Sequence, residues 1–304
     1  MKKKALCILV LCSIFALLFP EYWKNAVLLR LFPLLESLSD RIAFPLVEAL
    51  GLLLSLALCL GFVQRLLQGR PLHALFFLLK RTLCLLLGVL LLFLSLWFPL
   101  YLQAPLPIKP ASAAQLKASA DGLVQSLNKS DLDFSLLPDD LPAKFTHFPA
   151  LMEAFGAVGF YSFFTGEALL SPRLPACAIP FVAVHERVHG LGIADEGRCN
   201  RIAYEKCLRL GSVYADSAML WALRYSLGAL READFALYSD SLHGMNRRTQ
   251  HCFAQIGGAY AGDSGSRLLR TLLGHDPFHY EILAHALAAE INGCYNTVKP
   301  SESK

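Results

Sequence analysis

Three long apolar runs in the first hundred residues restrict this chain's fold more than any other feature. Ala5 to Phe19, Ala43 to Val63 and Thr82 to Leu102 hold at most one charged residue each. A bilayer core offers no water to satisfy backbone N–H and C=O groups, so runs of this kind can only be helical there. The first run follows Lys2, Lys3 and Lys4 and has the look of a secretory signal. No small-residue cleavage site follows it, however, and Pro20-Glu21-Tyr22-Trp23-Lys24 reads as an interfacial flank. An uncleaved first span, 5–19, is therefore expected, with a cleaved signal as the alternative. The second span is expected at 43–63, with Glu48 near enough to its start to reach the interface. The third is expected at 82–102, ending in the interfacial aromatics Trp97 and Tyr101.

Basic residues orient these spans. The lysine triplet, and Arg65, Arg70, Lys80 and Arg81 in the loop expected between the second and third runs, place both in the cytoplasm. Lys24, Arg30 and Arg41 oppose that bias without cancelling it. Three spans then carry everything after Leu102 out of the cytoplasm. The expected setting is a membrane, crossed more than once, with the lipid bilayer as partner. Composition agrees: 55% of the 304 residues are hydrophobic and 17% charged, against about 25% charged in ordinary soluble domains. A net charge of +4 is too small and scattered for a nucleic-acid partner. Of nine cysteines, Cys7, Cys12, Cys59 and Cys84 lie in apolar runs. Cys177, Cys199, Cys207, Cys252 and Cys294 follow the spans, with room for one or two disulfides in an oxidising compartment.

Residues 103–149 read as a proline-rich linker and an irregular segment. They are interrupted by a helix over Ala111 to Asn128, spaced by Leu116, Leu123 and Leu127. Residues 150–304 form the expected catalytic domain. Within it Ser212 to Leu230 reads as a buried helix, because its charges lie inside the run, and the polar stretch Leu237 to Gln250 reads as a loop.

That domain contains His185-Glu186-Arg187-Val188-His189, an H-E-x-x-H motif. On a helix, positions i and i+4 share a face, so both imidazoles can grip one Zn²⁺ while Glu186 takes a proton from a water. Pro180 suits the first turn of that helix. Gly190 or Gly192 should break it, and Gly192 can take the positive φ of a sharp turn. Asp195 is a good N-cap for a second helix from Glu196 to about Leu210, ended by Gly211. Three acids compete as third ligand: Glu196 at the start of the second helix, Asp195 by its spacing from the motif, and Glu205, which falls on the opposite helix face. Asn200 and Tyr204 follow Glu196 at one-turn intervals; Asn200 is either an orienting partner or a buried polar group serving structure, and Tyr204 either an oxyanion donor or, as expected here, a core aromatic. Glu167 either lines the cleft or serves as a turn or cap residue. His279 and Tyr280 are further candidate donors.

The stretch FVAVHERVHGLGIADEGRCNRIAYEKC resembles an uncharacterised family of bacterial integral-membrane proteins, domain-of-unknown-function family 3810. YSFFTGEALLSPRLPACAIPF upstream, PFHYEILAHAL downstream and LFPLLESLSDRIAFPLVEALG in the membrane region extend the likeness over nearly the whole chain. The resemblance implies a zincin-like protein with His185 and His189 as ligands, Glu186 as base and Glu196 as the first acid of the family's Glu-Asp-Glu-Ala-Asn stretch. This sequence departs from it there, with Gly197-Arg198-Cys199 where the family has Asp-Glu-Ala. The fold expected is mainly α: N-terminal transmembrane helices followed by a mostly helical, gluzincin-type domain. The function expected is zinc-dependent hydrolysis of a peptide or protein substrate. The alternative is a non-catalytic membrane scaffold with a decayed or structural metal site, the latter closed by a fourth ligand such as Cys199.

Overall fold

Proline and glycine punctuate the N-terminal helices. A computed structural model describes residues 2–102, 109–135, 137–154, 156–259 and 282–291. Helix α1 (Lys2–Leu18) stops just before Pro20, and the chain turns by 116° between Ile8–Leu18 and Pro20–Ser39. The second arm comprises α2 (Pro20–Trp23), a π-helical turn (Lys24–Leu28) and α3 (Leu29–Ser39). Helices α4 (Leu46–Leu67) and α5 (Pro71–Leu96) form a hairpin whose tight turn uses Gly69 at φ +69°. Both are long and apolar enough to cross a membrane, and the bent arm makes up to three. Ser13 Oγ donates to Leu91 O (3.0 Å) and Trp23 Nε1 to Ser95 O (2.7 Å), so α1 runs parallel to α5.

Two expectations about these spans need correction. The loop between the second and third spans shrinks to Gln68–Arg70, because Pro71 starts α5 at once, leaving Lys80 and Arg81 inside that helix and Arg65 on α4. The helix that carries the third apolar run is Pro71–Leu96 rather than 82–102. Pro99 has no N–H to donate to Ser95, so α5 ends and a separate short helix α6 (Phe98–Tyr101) follows Trp97.

Beyond the spans, α7 (Ala113–Lys129) starts in a capping box of Ser112 and Gln115 and buries Leu116, Leu123 and Leu127. A small sheet follows, in the order β1-β3-β2. β1 (Lys144–Phe145) runs parallel to β3 (Glu167–Leu170), and β2 (Gly159–Ser162) antiparallel to it, Gly159 facing Leu170. The short helix α8 (Pro149–Ala154) precedes β2. Next come α9 (Ile179–His189), α10 (Glu196–Leu210) and α11 (Ser212–Ala233), then α12 (Phe235–His243), α13 (Arg247–Ala259) and a helix Ile282–Ile291.

Helix α11 is the centre of the larger core. It packs against α7, α9, α10 and the helix Ile282–Ile291, and buries Leu220, Trp221, Leu223, Leu227 and Leu230 completely or nearly so. The loop expected over Leu237 to Gln250 is instead occupied by α12 and the start of α13. Asp234 accepts from the amides of Ala236 and Leu237, and Asn246 from that of Thr249, so each polar helix is started by a cap. A second, smaller core joins the N-terminal helices to the sheet: Leu28, Phe32, Trp97 and Leu100 pack with Tyr161, Phe163 and Ala194.

Candidate metal centre

The site is built on α9, and α11 anchors the start of that helix. Ser217 Oγ donates to Cys177 O (2.7 Å) and accepts from Phe181 N (3.1 Å), while Trp221 stacks on Phe181 at 5.7 Å. Pro180 stands in the first turn, where no N–H is needed. The helix ends at His189, and Gly192, at φ +72°, reverses the chain. Asp195 then caps α10 by accepting from Arg198 N (2.7 Å). This turn delivers Glu196 to the histidines. His185 Nε2 lies 3.0 Å from Glu196 Oε2, and His189 Nε2 lies 3.6 Å from Glu196 Oε1.

One donor atom from each of the three residues lies within 4.8 Å of the others. Tetrahedral Zn²⁺ with bonds of about 2.0–2.1 Å spaces neighbouring donors about 3.3–3.4 Å apart. The two observed separations, one to each carboxylate oxygen, lie on either side of that spacing, and two imidazoles with a carboxylate are donor types that such an ion takes. His189 is oriented for it, since its Nδ1 donates to Ile193 O at 2.7 Å, which leaves Nε2 as the lone-pair nitrogen. Cys199 Sγ approaches that same Nδ1 at 3.3 Å. It therefore lies behind His189, on the ring edge turned away from Glu196. Trp97 closes the front, its ring 5.5 Å from that of His189 and tilted by 61°.

The electrostatics divide the carboxylates. Burial raises the Glu196 pKa, but His189 and His185 outweigh it and hold the group below the usual carboxylate range. Glu186 has no such compensation: burial pushes it up to about 8, with only part of the effect returned by His185. Burial lowers His185, yet the hydrogen bond and charge of Glu196 leave it raised overall. His189 ends lowered, by burial first and by the neighbouring His185. Two nearby acids pushed in opposite directions are the usual arrangement of an acid–base site.

The other residues singled out in the sequence fall in different places. Asn200 is buried beside His185 and Tyr225. His185 Nδ1 and Asn200 Nδ2 are both buried without a hydrogen-bond partner among the described residues. Tyr204 packs half-buried against the larger core, Asp195 is occupied as a cap, and Glu205 pairs with Arg201 (3.2 Å). Glu167 is outside the cluster. It is buried, it accepts from Leu46 N (2.7 Å) and Val47 N (2.9 Å) at the start of α4, and it pairs with Lys144 (2.7 Å). Its cleft-lining reading gives way to the capping one, across 121 positions of sequence. Glu48 likewise turns to the segment that follows β1, accepting from Thr146 Oγ1 and from His147 N (3.1 Å). His279 and Tyr280 lie outside the described residues.

Two features were not expected. The Glu186 side chain lies on Gly159, where any Cβ would overlap its carboxylate. Arg187, inside the motif, makes a two-pronged ion pair with Asp40 (2.7 and 2.8 Å) and reaches Glu36 (3.4 Å), tying α9 to α3. Nothing local to the motif marks Gly159; the arginine's place on the far face of an H-E-x-x-H helix was a readable signal.

Residues 133–261 match the model of a family described as "Protein of unknown function (DUF3810)". This segment belongs to that family. It contains β1 to β3, α9 to α12 and all of the cluster described above, whereas the N-terminal helices and the helix Ile282–Ile291 lie outside the match. No curated protein and no solved structure matches the chain. The family's description assigns no activity, so the chemistry of the site has to be argued from its residues.

Proposed function

We propose that this chain is a membrane-bound, zinc-dependent metallopeptidase with a gluzincin-type domain. His185, His189 and Glu196 hold the ion, and Glu186 is the general base. The position of Cys199 carries this reading. A structural zinc site encloses its ion with four protein ligands, whereas a hydrolytic one has three and an open position. The structural-site version of the scaffold alternative needs a fourth ligand, and Cys199 touches the wrong nitrogen of His189 to be one; the decayed version predicts no bound zinc at all.

When bound, Zn²⁺ supplies Lewis acidity, lowering the pKa of a water to about 7 and polarising the scissile carbonyl. Glu186 takes a proton from the attacking water and delivers it to the departing amine. Burial raises the Glu186 carboxyl, and a bound dication would draw it back toward the carboxylate, the form that accepts a proton. Glu196 stays ionised as a ligand, and Ile193 O keeps His189 in the tautomer that presents Nε2. In this reading the membrane is a bacterial cell membrane, crossed more than once, with the site outside the cytoplasm. The parallel α1 and α5 support it, since the start of α1 then lies at the same end as the α4–α5 turn with its arginines.

The decisive experiment is Glu186→Gln in the full chain, assayed on a pool of quenched fluorescent peptides with zinc measured by plasma mass spectrometry. Hydrolysis should fall about 10²–10⁴-fold with zinc retained, and an unchanged rate would overturn the base assignment. His185→Ala should lose the zinc. A reporter fused at the C-terminus tests the topology, cytoplasmic reporter activity being the outcome against it.

A further inference from the structure

Between Glu48 and Asp121 the sequence contains no aspartate or glutamate. Across that acid-free stretch run α4 and α5, and two arginines of the hairpin converge within it. Arg65 does not extend toward the turn and the membrane surface, as a long cationic side chain near a span's end ordinarily does. It folds one turn inward and donates from Nη1 to Gly61 O (2.7 Å), with its guanidinium carbon 3.7 Å from the centre of the Phe77 ring. Arg81, ten residues and about 15 Å along α5 from Pro71, brings its guanidinium carbon to 5.6 Å from the same ring. Gly61 is what admits that ring, since a Cβ there would overlap Phe77. The backbone carbonyl and the ring face solvate the two cations, but no acidic side chain among the described residues neutralises them.

A cleft of about 430 Å³ opens between the helices, lined by Arg81 and Phe77, with Arg65 outside its lining on the Phe77 ring. Arg81 and Phe77 stand at its end nearer the turn. Its walls, Leu58, Cys84, Leu85 and then Leu54, continue away from the turn along both helices. The cleft is thus cationic at one end and apolar along its length.

We propose that the α4–α5 cleft binds an anionic phospholipid, its phosphate on Arg65 and Arg81 and one acyl chain between the helices. Guanidinium groups bind phosphate oxygens with paired hydrogen bonds, and basic pockets between spans hold anionic headgroups on the same grounds. Charge complementarity selects the occupant: an apolar partner helix would leave two buried cations uncompensated. The proposal rests on α4 and α5 crossing a membrane and is independent of the metal centre.

The test uses the full chain in detergent micelles, titrated with phosphatidylglycerol, phosphatidylcholine and inorganic phosphate, with bound lipid counted by native mass spectrometry. Phosphatidylglycerol should bind at least about tenfold tighter than phosphatidylcholine, and Arg65→Gln and Arg81→Gln should each weaken it about fivefold. Arg81→Lys, which keeps the charge, should retain most of the binding and shows that the hairpin still folds. Ala57→Phe fills the cleft without touching either arginine and should also weaken binding. Equal affinity for the two lipids would overturn the proposal, as would full binding by both glutamine variants. Inorganic phosphate competing equally well with Ala57→Phe silent would reduce the site to an anion site and overturn the lipid. A second polypeptide retained in place of lipid would overturn it too.

Discussion

A missing side chain does as much for the candidate centre as the donors do. Gly159 begins β2, and the carboxylate of Glu186 occupies the volume in which any other residue would carry its Cβ. Gly159→Ala should therefore displace the base. A misplacement of about 1 Å costs on the order of 10²-fold in rate, and zinc content should stay unchanged because Gly159 adjoins none of the three donors. Peptide-hydrolysis kinetics beside metal analysis would check this, and unaltered kcat would refute the contact's importance. The residues of the centre were legible where their relationships are local. Helical periodicity puts His185 and His189 on one face, and the Gly192 turn with the Asp195 cap returns Glu196 to them within eleven positions. Gly159 was not legible, because its contact to Glu186 spans a strand and a loop that no periodicity connects. Glu167 was read both ways for a related reason: a carboxylate in a Thr-Gly-Glu turn looks the same in sequence whether it faces a cleft or another helix.

Among the elements, α4 has its start secured from 121 positions away. Glu167 satisfies two of its first-turn amides and carries the ion pair with Lys144. Burial alone would raise this carboxyl, but the Lys144 pair, the two amides and Thr165 outweigh it and hold it below its ordinary value. As pH falls, the unfolded carboxyl takes up its proton first. The stabilisation from Glu167 is then present above the unfolded pKa and lost as pH drops through the folded one. Chemical denaturation of the full chain in micelles should show Glu167→Gln flattening that acid limb. At neutral pH it should cost about 1–3 kcal/mol, the usual range for a buried group deprived of its charged partner. A similar acid limb in the variant would count against the assignment. Long apolar or capped elements, such as α4, α7, α9, α10 and α11, were read close to where they stand. The pair α12 and α13 was misread as loop because the apolar residues that each packs on the core, Leu237, Tyr238 and Leu242 in one and Cys252, Phe253 and Ile256 in the other, are separated by the polar stretch His243 to Gln250. Its signals were only Asp234 and Asn246, residues that start turns as readily as helices.

For the molecule as a whole, the N-terminal helices and the segment that carries the H-E-x-x-H helix share a wall. Trp97 meets His189, Phe32 and Trp97 pack on Tyr161, and Arg187 grips Asp40. Residues 109–304 expressed alone should therefore expose Tyr161, Phe163 and the edge of His189. The expected outcome is self-association on size-exclusion chromatography and zinc affinity lower than in the full chain. A monomeric fragment with undiminished affinity would show the two regions to be separable. Hydrophobic runs announce helices but not how a helix bends or what it leans on, which is why the 116° turn at Pro20 and this shared wall were not foreseen. The bond between Glu167 and α4 also sets an order of events during synthesis. Leu46 and Val47 leave the ribosome 121 and 120 positions before the residue that caps them. At about 5–20 residues per second, the first turn of α4 waits roughly 6–24 s for its acceptor. Through that interval its free amides need water, so this end of the nascent hairpin has to stay hydrated until β3 has been made.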